Sequence, residues 1–382
     1  MIQFDERDSL FSRMGLIKGT RKYNAYYKMH PHLQLEDDQV RQNTQNMLAR
    51  IYGVEPGRLA MTQKLMAVVQ WCMNLLSRLK LKQISADASD QPIMFGNDSD
   101  DAVARNHFTI SKPALLAAKA MNHAARKQKV SRYKAKLDPE KLSASVKELA
   151  LLYGADAVGI ARLEGHHHYS HRGDLFGMGV GYGSRIKLSY RYAIVVAAAL
   201  DKEMIGRAPA SDVWVAAMMG YAKSTAVTAQ LAFYIKSMGY GAQTDNFLEY
   251  YSPITPLAAA AGLGQIGRCN MVVSTEYGTR LKMGAVLTDM PLVEDGPVDS
   301  GMAEYCQSCF QCAVRCPAQA ISYEKPDRVN GLLQWRLHGT KCMEAWMKME
   351  TGCGICMASC PFSQGAGPAL LKRMKGPAEK IA

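Results

Sequence analysis

The chain has 382 residues, 48% of them hydrophobic and 21% charged, with a formal net charge of +12, enough for two or three domains with sizeable cores. Its most apolar run, Ala193 to Leu200, is cut by Asp201 and Lys202 and falls short of the roughly 20 apolar residues that a membrane-spanning helix needs. The opening Met1-Ile2-Gln3-Phe4-Asp5-Glu6-Arg7 offers neither a basic n-region with an apolar h-region nor a twin-arginine pair, so a cytoplasmic protein with no membrane-spanning segment is expected.

Residues 1–150 carry 24 basic and 15 acidic side chains, so a net +9 of the total charge belongs to the N-terminal part. The densest run, Arg126 to Lys136, has a single aromatic, Tyr133, which is too little stacking surface for a single-strand binder. It reads as a solvated linker or docking face, and nucleic acid is not an expected partner.

Residues 1–137 form a largely helical region in which Leu65, Val69, Leu75, Leu76 and Leu79 recur at helical spacing, followed by a Ser-, Asp-, Asn- and Gly-rich loop from Ser85 to Asp101. A new unit, 138–295, begins with Asp138 as N-cap and Pro139 at the first helical position, with a stripe of Leu142, Val146, Leu149 and Tyr153 behind them. Gly154 can end that helix. Strands are expected over Ala157 to Leu163, Tyr192 to Leu200 and Leu281 to Thr288, with a long helix from Ser211 to Met238 closed by Gly239. Residues 296–365 form a third unit, and 366–382 a tail.

Eight of the ten cysteines lie between Cys306 and Cys360. Cys306, Cys309, Cys312 and Cys316-Pro317 follow the bacterial ferredoxin run; Cys342, Cys353, Cys356 and Cys360-Pro361 repeat it with a longer first gap. Two-residue gaps let thiolates converge on one cube, and the residue before the proline serves the neighbouring cube. One 4Fe-4S cluster would take Cys306, Cys309, Cys312 and Cys360, and the other Cys342, Cys353, Cys356 and Cys316. Disulfides do not suit a chain without an export signal, and zinc has no use for a Cys-Pro at the end of each run. Cys72 and Cys269 lack ligand-spaced partners and read as small core residues. The four histidines His166, His167, His168 and His171 have no acidic or cysteine partner at metal-ligand spacing, so one or two are expected at a cavity and the others in solvent.

Gly262-Leu263-Gly264-Gln265-Ile266-Gly267 matches a dinucleotide-binding pattern, but it follows the Pro- and Ala-rich segment Pro253 to Ala261 instead of a strand, so no nucleotide is expected there. The whole string from Pro256 to Asp289 resembles the corresponding segment of cobalamin-dependent reductive dehalogenases. FDERDSLFSRM from Phe4 to Met14, Tyr169-Ser170-His171-Arg172, and Cys353-Gly354-Ile355-Cys356-Met357 through Cys360-Pro361-Phe362 are similar to further motifs of that family.

The resemblance implies an α+β protein, with a nitroreductase-like cobalamin-binding α/β core, a C-terminal two-cluster module and a helical N-terminal region. It implies a base-off cobalamin without a protein ligand to cobalt, in keeping with the lack of an Asp-x-His-x-x-Gly motif. His171, Gly262, Gly264, Gly267 and Arg268 would contact the cofactor. Tyr221 would deliver a proton, with Arg280 as its electrostatic partner and Asn246 at the cavity wall. A free phenol has a pKa near 10, and a guanidinium beside it favours the phenolate. The substrate would be a small organohalide. Only 22 residues follow Cys360, too few for a fused flavin reductase, so electrons would come from a separate carrier such as a ferredoxin or flavodoxin with its reductase. Two rivals remain: an epoxyqueuosine reductase acting on tRNA, whose helical repeats this tail is too short to hold, and a non-enzymatic electron carrier, which would contain iron and sulfide but no cobalt.

Overall fold

The computed structural model describes residues 3–52, 99–173, 181–247, 249–349 and 352–374. The amphipathic stretch from Arg58 to Lys82, with Cys72, lies outside these residues, as does all but the end of the expected loop from Ser85 to Asp101. That end, from Ser99, is helical. No helix among the described residues is long and apolar enough to cross a membrane.

A four-stranded sheet in the order β1-β2-β6-β3 forms the centre, from β1 (Ala157–Arg162), β2 (Tyr192–Ala199), β3 (Ala242–Asp245) and β6 (Leu281–Thr288). Every pairing in it is antiparallel, so the core is a helix-covered antiparallel sheet, not a parallel α/β one. Alternation along β2 sends Ala193, Val195 and Ala197 to one face and Ile194 and Val196 to the other. Both faces are covered, which is why this strand reads as one unbroken apolar run.

The first face is covered by α4 (Ser99–Lys127), α5 (Pro139–Leu152) and α7 (Asp212–Ser237), which bury Leu142, Val146, Val227, Leu231 and Ile235 against the sheet. Asp138 caps α5 by accepting from the Glu140 N–H, and Pro139 occupies the first helical position. The opposite face takes α8 (Ile254–Ala260), whose Leu257 and Ala258 pack on it. There Gly159 has to be glycine, because a Cβ would stand 2.0 Å from the Ala261 carbonyl oxygen.

The expected basic linker is not free. Ser131 and Ala135 donate from their backbone N–H groups to the Lys236 and Met238 carbonyls, and the Lys236 ammonium donates to the Ala125 and Arg126 carbonyls. The run follows α4 and straps its end to the end of α7.

Before the sheet come α1 (Leu10–Met14), α2 (Arg21–Met29) and α3 (Gln34–Tyr52). After it come α9 (Met302–Cys309), α10 (Gln311–Val314), the small hairpin β7 (Asp327–Val329) and β8 (Leu332–Gln334), then α11 (Gly339–Met349), α12 (Ile355–Ala358) and α13 (Gly367–Met374). Met14 and Val40 meet Met343 and Met347, so the N-terminal helices pack on the cysteine-bearing region. Gly278, at φ 58°, lets the turn before β6 touch the Phe362–Ser363 backbone, where a Cβ would approach the Ser363 nitrogen to 2.2 Å.

Candidate functional site

The short helices α9, α10 and α12 present their cysteines from tight turns, and Phe310 and Gly354 take the left-handed conformation between them. All eight ligand candidates are free thiols. Cys306, Cys309, Cys312 and Cys360 line one small, largely apolar cavity together with Tyr305, Phe310 and Phe362. Cys342, Cys353 and Cys316 are electrostatic neighbours, and Cys356 adjoins the same three. The first-gap lengthening in the second run is therefore spanned by α11, which carries Cys342.

Burial pushes the Cys306 thiol up to about 12 and raises the Cys356 thiol as well, with neighbouring sulfurs adding to each. Thiols so placed are poor thiolates unless a cation compensates their charge. Among the described residues no three His, Cys, Asp or Glu side chains close on a single-ion site; a four-iron cube spreads its thiolates more widely than one ion does. The sulfur donor set and its apolar lining fit two clusters.

Beside the first thiol cavity lies a second, open cavity of about 310 Å3. Its walls are Phe4, Asp5, Asp8 and Ser9 from the N-terminal segment, Tyr169, Pro253, Thr255 and Pro256 at the start of α8, Ile266 and Asn270 from the β4–β5 hairpin, and Gln334 of β8. That hairpin pairs β4 (Gln265–Ile266) with β5 (Val272–Val273). Its turn has two sides: Ile266 and Asn270 face the open cavity, while Arg268 and Cys269 line the thiol cavity. Asp5, Asp8, Ser9, Thr255, Asn270 and Gln334 supply the polar groups of this lining. None of the lining residues is among the expected site residues, although the motif from Phe4 to Met14 marks the segment that carries four of them.

His171 is not at the wall; its Nδ1 stands 3.3 Å from Asp5 Oδ2, and with Arg7, which bonds both Asp5 oxygens, it anchors a carboxylate that is. Burial opposes ionisation of Asp5, yet Arg7 and His171 hold its carboxyl below the ordinary value. His166 and His167 are buried, and His167 closes a capping box with Glu164; burial first, then His166, lowers it to about 4.

Arg268 does not reach into the open cavity. It is buried, lies over the Phe310 ring, and donates to the carbonyls of Cys306, Gln307, Ser322 and Glu324, which spends its fork on tying the hairpin to the cysteine module. Gly262 and Gly264 face backbone, toward the Gly296 and Val273 carbonyls, and Gly267 faces Val273 and the Cys306 sulfur; they permit close chain packing. Asn246 is fully buried, and its amide donates to Asn122 and Thr228, linking β3 to α4 and α7.

Tyr221 and Arg280 are not partners. The Arg280 guanidinium donates to the Ser363 and Leu200 carbonyls, joining the sheet edge to the segment after Cys360. The cation at Tyr221 is Lys282, whose Nζ lies 3.3 Å from the phenol oxygen and 4.5 Å from the ring centre. Strand alternation explains the difference: Leu281 and Met283 turn to the α8 face, so Lys282 points to the α7 face, where Tyr221 stands. Phe247 stacks on Tyr221 with ring centres 4.2 Å apart, and Tyr250 hydrogen-bonds to it. Burial, then Tyr221, Asp245 and Tyr169, raise Tyr250 well above an ordinary phenol. Tyr169 lines the open cavity, so the row from Tyr221 through Tyr250 leads toward it.

The arrangement gathers eight cysteines into two groups of thiols suited to iron-sulfur ligation, one of them one hairpin turn from an open cavity. In agreement, residues 305–364 match the 4Fe-4S dicluster domain family. The chain is 30% identical to the tetrachloroethene reductive dehalogenase of Sulfurospirillum multivorans over 261 residues, 60% of this chain and 51% of that protein. It is 34% identical to the trichloroethene reductive dehalogenase of Dehalococcoides mccartyi over 152 residues, 38% of this chain and 26% of that protein. A solved reductive dehalogenase, described as suggesting a mechanism for B12-dependent dehalogenation, superposes with a TM-score of 0.60 at 26% identity, covering 69% of this chain and 38% of the other. The chain spans about half the length of the Sulfurospirillum relative. The chain is similar to the reductive dehalogenases over these stretches; an epoxyqueuosine reductase of Lactococcus garvieae is 35% identical over a shorter one, 28% of this chain and 31% of that protein.

Proposed function

We propose that this chain is a cobalamin-dependent reductive dehalogenase that replaces a carbon-bound halogen of a small organohalide with hydrogen. The observation that carries the reading is the hairpin turn from Ile266 to Asn270, one side of which lines the thiol cage and the other the open cavity. A redox centre and a ligand site are thus one turn apart. Bound at that cavity, a base-off corrinoid supplies the low-valent cobalt that acts on the carbon-halogen bond. Asp5, Asp8, Ser9, Thr255, Asn270 and Gln334 would hold its amide groups, in a core of nitroreductase-like architecture.

Replacement of halogen by hydrogen consumes two electrons and one proton and releases halide, so two single-electron transfers through the clusters serve each turnover. The outer cage, with exposed Cys342, is the side at which a separate cytoplasmic carrier such as a ferredoxin or flavodoxin would deliver them. Tyr221 holds the proton at its phenol oxygen. Lys282, 3.3 Å away, is the cation that faces this oxygen. Tyr250 neighbours both Tyr221 and Tyr169, and Tyr169 lines the cavity.

Halide release from a panel of haloethenes and halophenols, by anaerobic cluster-replete protein with reduced viologen as donor, tests the proposal. Release that requires added cobalamin is expected. No release from any of them by cobalt-loaded protein would overturn it.

A further inference from the structure

Arg268 sits in the β4–β5 turn and is 2% exposed. It lines the cavity of the inner quartet, Cys306, Cys309, Cys312 and Cys360, so a guanidinium is built into the wall of that cage. Its Nε donates to the carbonyl of Cys306, a ligand cysteine, at 3.0 Å, and its two Nη atoms donate to the Gln307, Ser322 and Glu324 carbonyls at 2.8 to 3.2 Å. The centre of the Phe310 ring lies 4.0 Å from its central carbon, and that of Trp335 5.8 Å. These four acceptors are neutral, and among the described residues no carboxylate pairs with the guanidinium. A cation so deeply buried is costly without an anion beside it. The fold supplies no carboxylate, but a cube held by four thiolates is itself an anion, and one-electron reduction makes it more negative.

We propose that Arg268 is the counter-ion of the inner cluster and that its charge raises the reduction potential of that cluster. A fixed positive charge stabilises the more negative, reduced cube, and local charge and solvent exposure are among the levers that set such potentials. The effect grows as the local dielectric constant drops. Here the same cavity is walled by Tyr305, Phe310 and Phe362, so water screens the pair little. Arginine suits the place because its fork satisfies several carbonyls at once while the charge stays on it; lysine would keep the charge and lose the fork. The consequence is directional. An electron held at the inner cluster is held one turn from Asn270, which lines the open cavity.

The inference rests on the two clusters and not on dehalogenation, so it is tested in cobalamin-free protein, where failure of the dehalogenase reading has no effect. Iron analysis comes first: about eight iron per chain is expected in wild type, and protein without iron would overturn the cluster reading itself. Potentiometric titration followed by electron paramagnetic resonance then compares wild type with Arg268→Lys and Arg268→Gln, the inner cluster being the one whose signal is lost in Cys306→Ser. Glutamine keeps a donor without the charge. It is expected to move the inner cluster to a more negative potential by about 59 mV, a tenfold change in its one-electron equilibrium, while lysine holds it near the wild-type value and the outer cluster moves less in both. An inner cluster that assembles with lysine and not with glutamine would equally support the charge. No shift with glutamine, equal shifts in the two variants, or loss of the inner cluster in both would overturn the proposal and leave Arg268 as a tie between hairpin and cysteine module.

Discussion

The cysteine module and the Tyr221 environment are built in opposite ways. In the first, spacing along the chain does most of the work: two-residue gaps on α9, α10 and α12 bring thiols together locally, and only Cys360 and Cys316 cross over. In the second, a phenol on α7 meets an ammonium on β6, 61 positions later in the chain, because a strand and a helix cover each other. Chemistry written in local spacing can be read before the fold is known, whereas chemistry written in packing needs the face of every element.

The largest expected effect belongs to the local region. Cys306→Ser and Cys342→Ser should each lose one cluster, lowering iron from about eight to about four per chain, and should abolish different resonance signals. Loss of the same signal in both would break the crossed pairing of the quartets.

At the packed site, Tyr221→Phe should keep both clusters and lower dehalogenation by about 10²-fold or more, the usual contribution of a positioned acid. Lys282→Met should cost on the order of 10²-fold through loss of one preorganised charge. Arg280→Met separates the two cations. It should lower stability by about 2–3 kcal/mol, since it strips charged donors from the buried Ser363 and Leu200 carbonyls, and leave the pH profile of turnover as in wild type. A profile that moves with Arg280 and not with Lys282 would reverse the assignment.

The smallest effect concerns Asp245, fully buried at the end of β3. Burial raises its carboxyl to about 7, against the hydrogen bond from the Tyr251 N–H that pulls the other way. An unfolded Asp titrates near 3.9, so the folded state binds the extra proton between these values. The contribution is fully present below about pH 4 and is lost as pH rises through about 7. Urea midpoints should therefore fall for wild type between pH 5 and pH 8, and fall less for Asp245→Asn. Parallel decreases would show that another group carries the slope.

Much of the central sheet was legible because its edges carry strong signals. Asp138-Pro139, Gly154 at φ 103° and Gly239 at φ 85° bound α5 and α7 where expected, and Leu281 to Thr288 is a strand over its whole predicted length. Short β3 was missed, since Ala242–Asp245 is four residues long and half polar. Arg280 is the expected partner of Tyr221 because it closes the motif from Glu276, and only the register of β6 tells that Lys282 faces α7. Cys269 is the small core residue its lack of ligand-spaced partners implied, packed with Ala313 and Ile321.

The central claim is that the cage beside the Ile266–Asn270 turn faces a corrinoid. It is tested most directly by metal analysis and electron paramagnetic resonance of anaerobic protein produced with abundant cobalamin. The account predicts about one cobalt and eight iron per chain, with a base-off cobalt signal that changes when the inner cluster is reduced. Protein that holds its full iron and sulfide but no cobalt would contradict it, and would leave an electron carrier in its place.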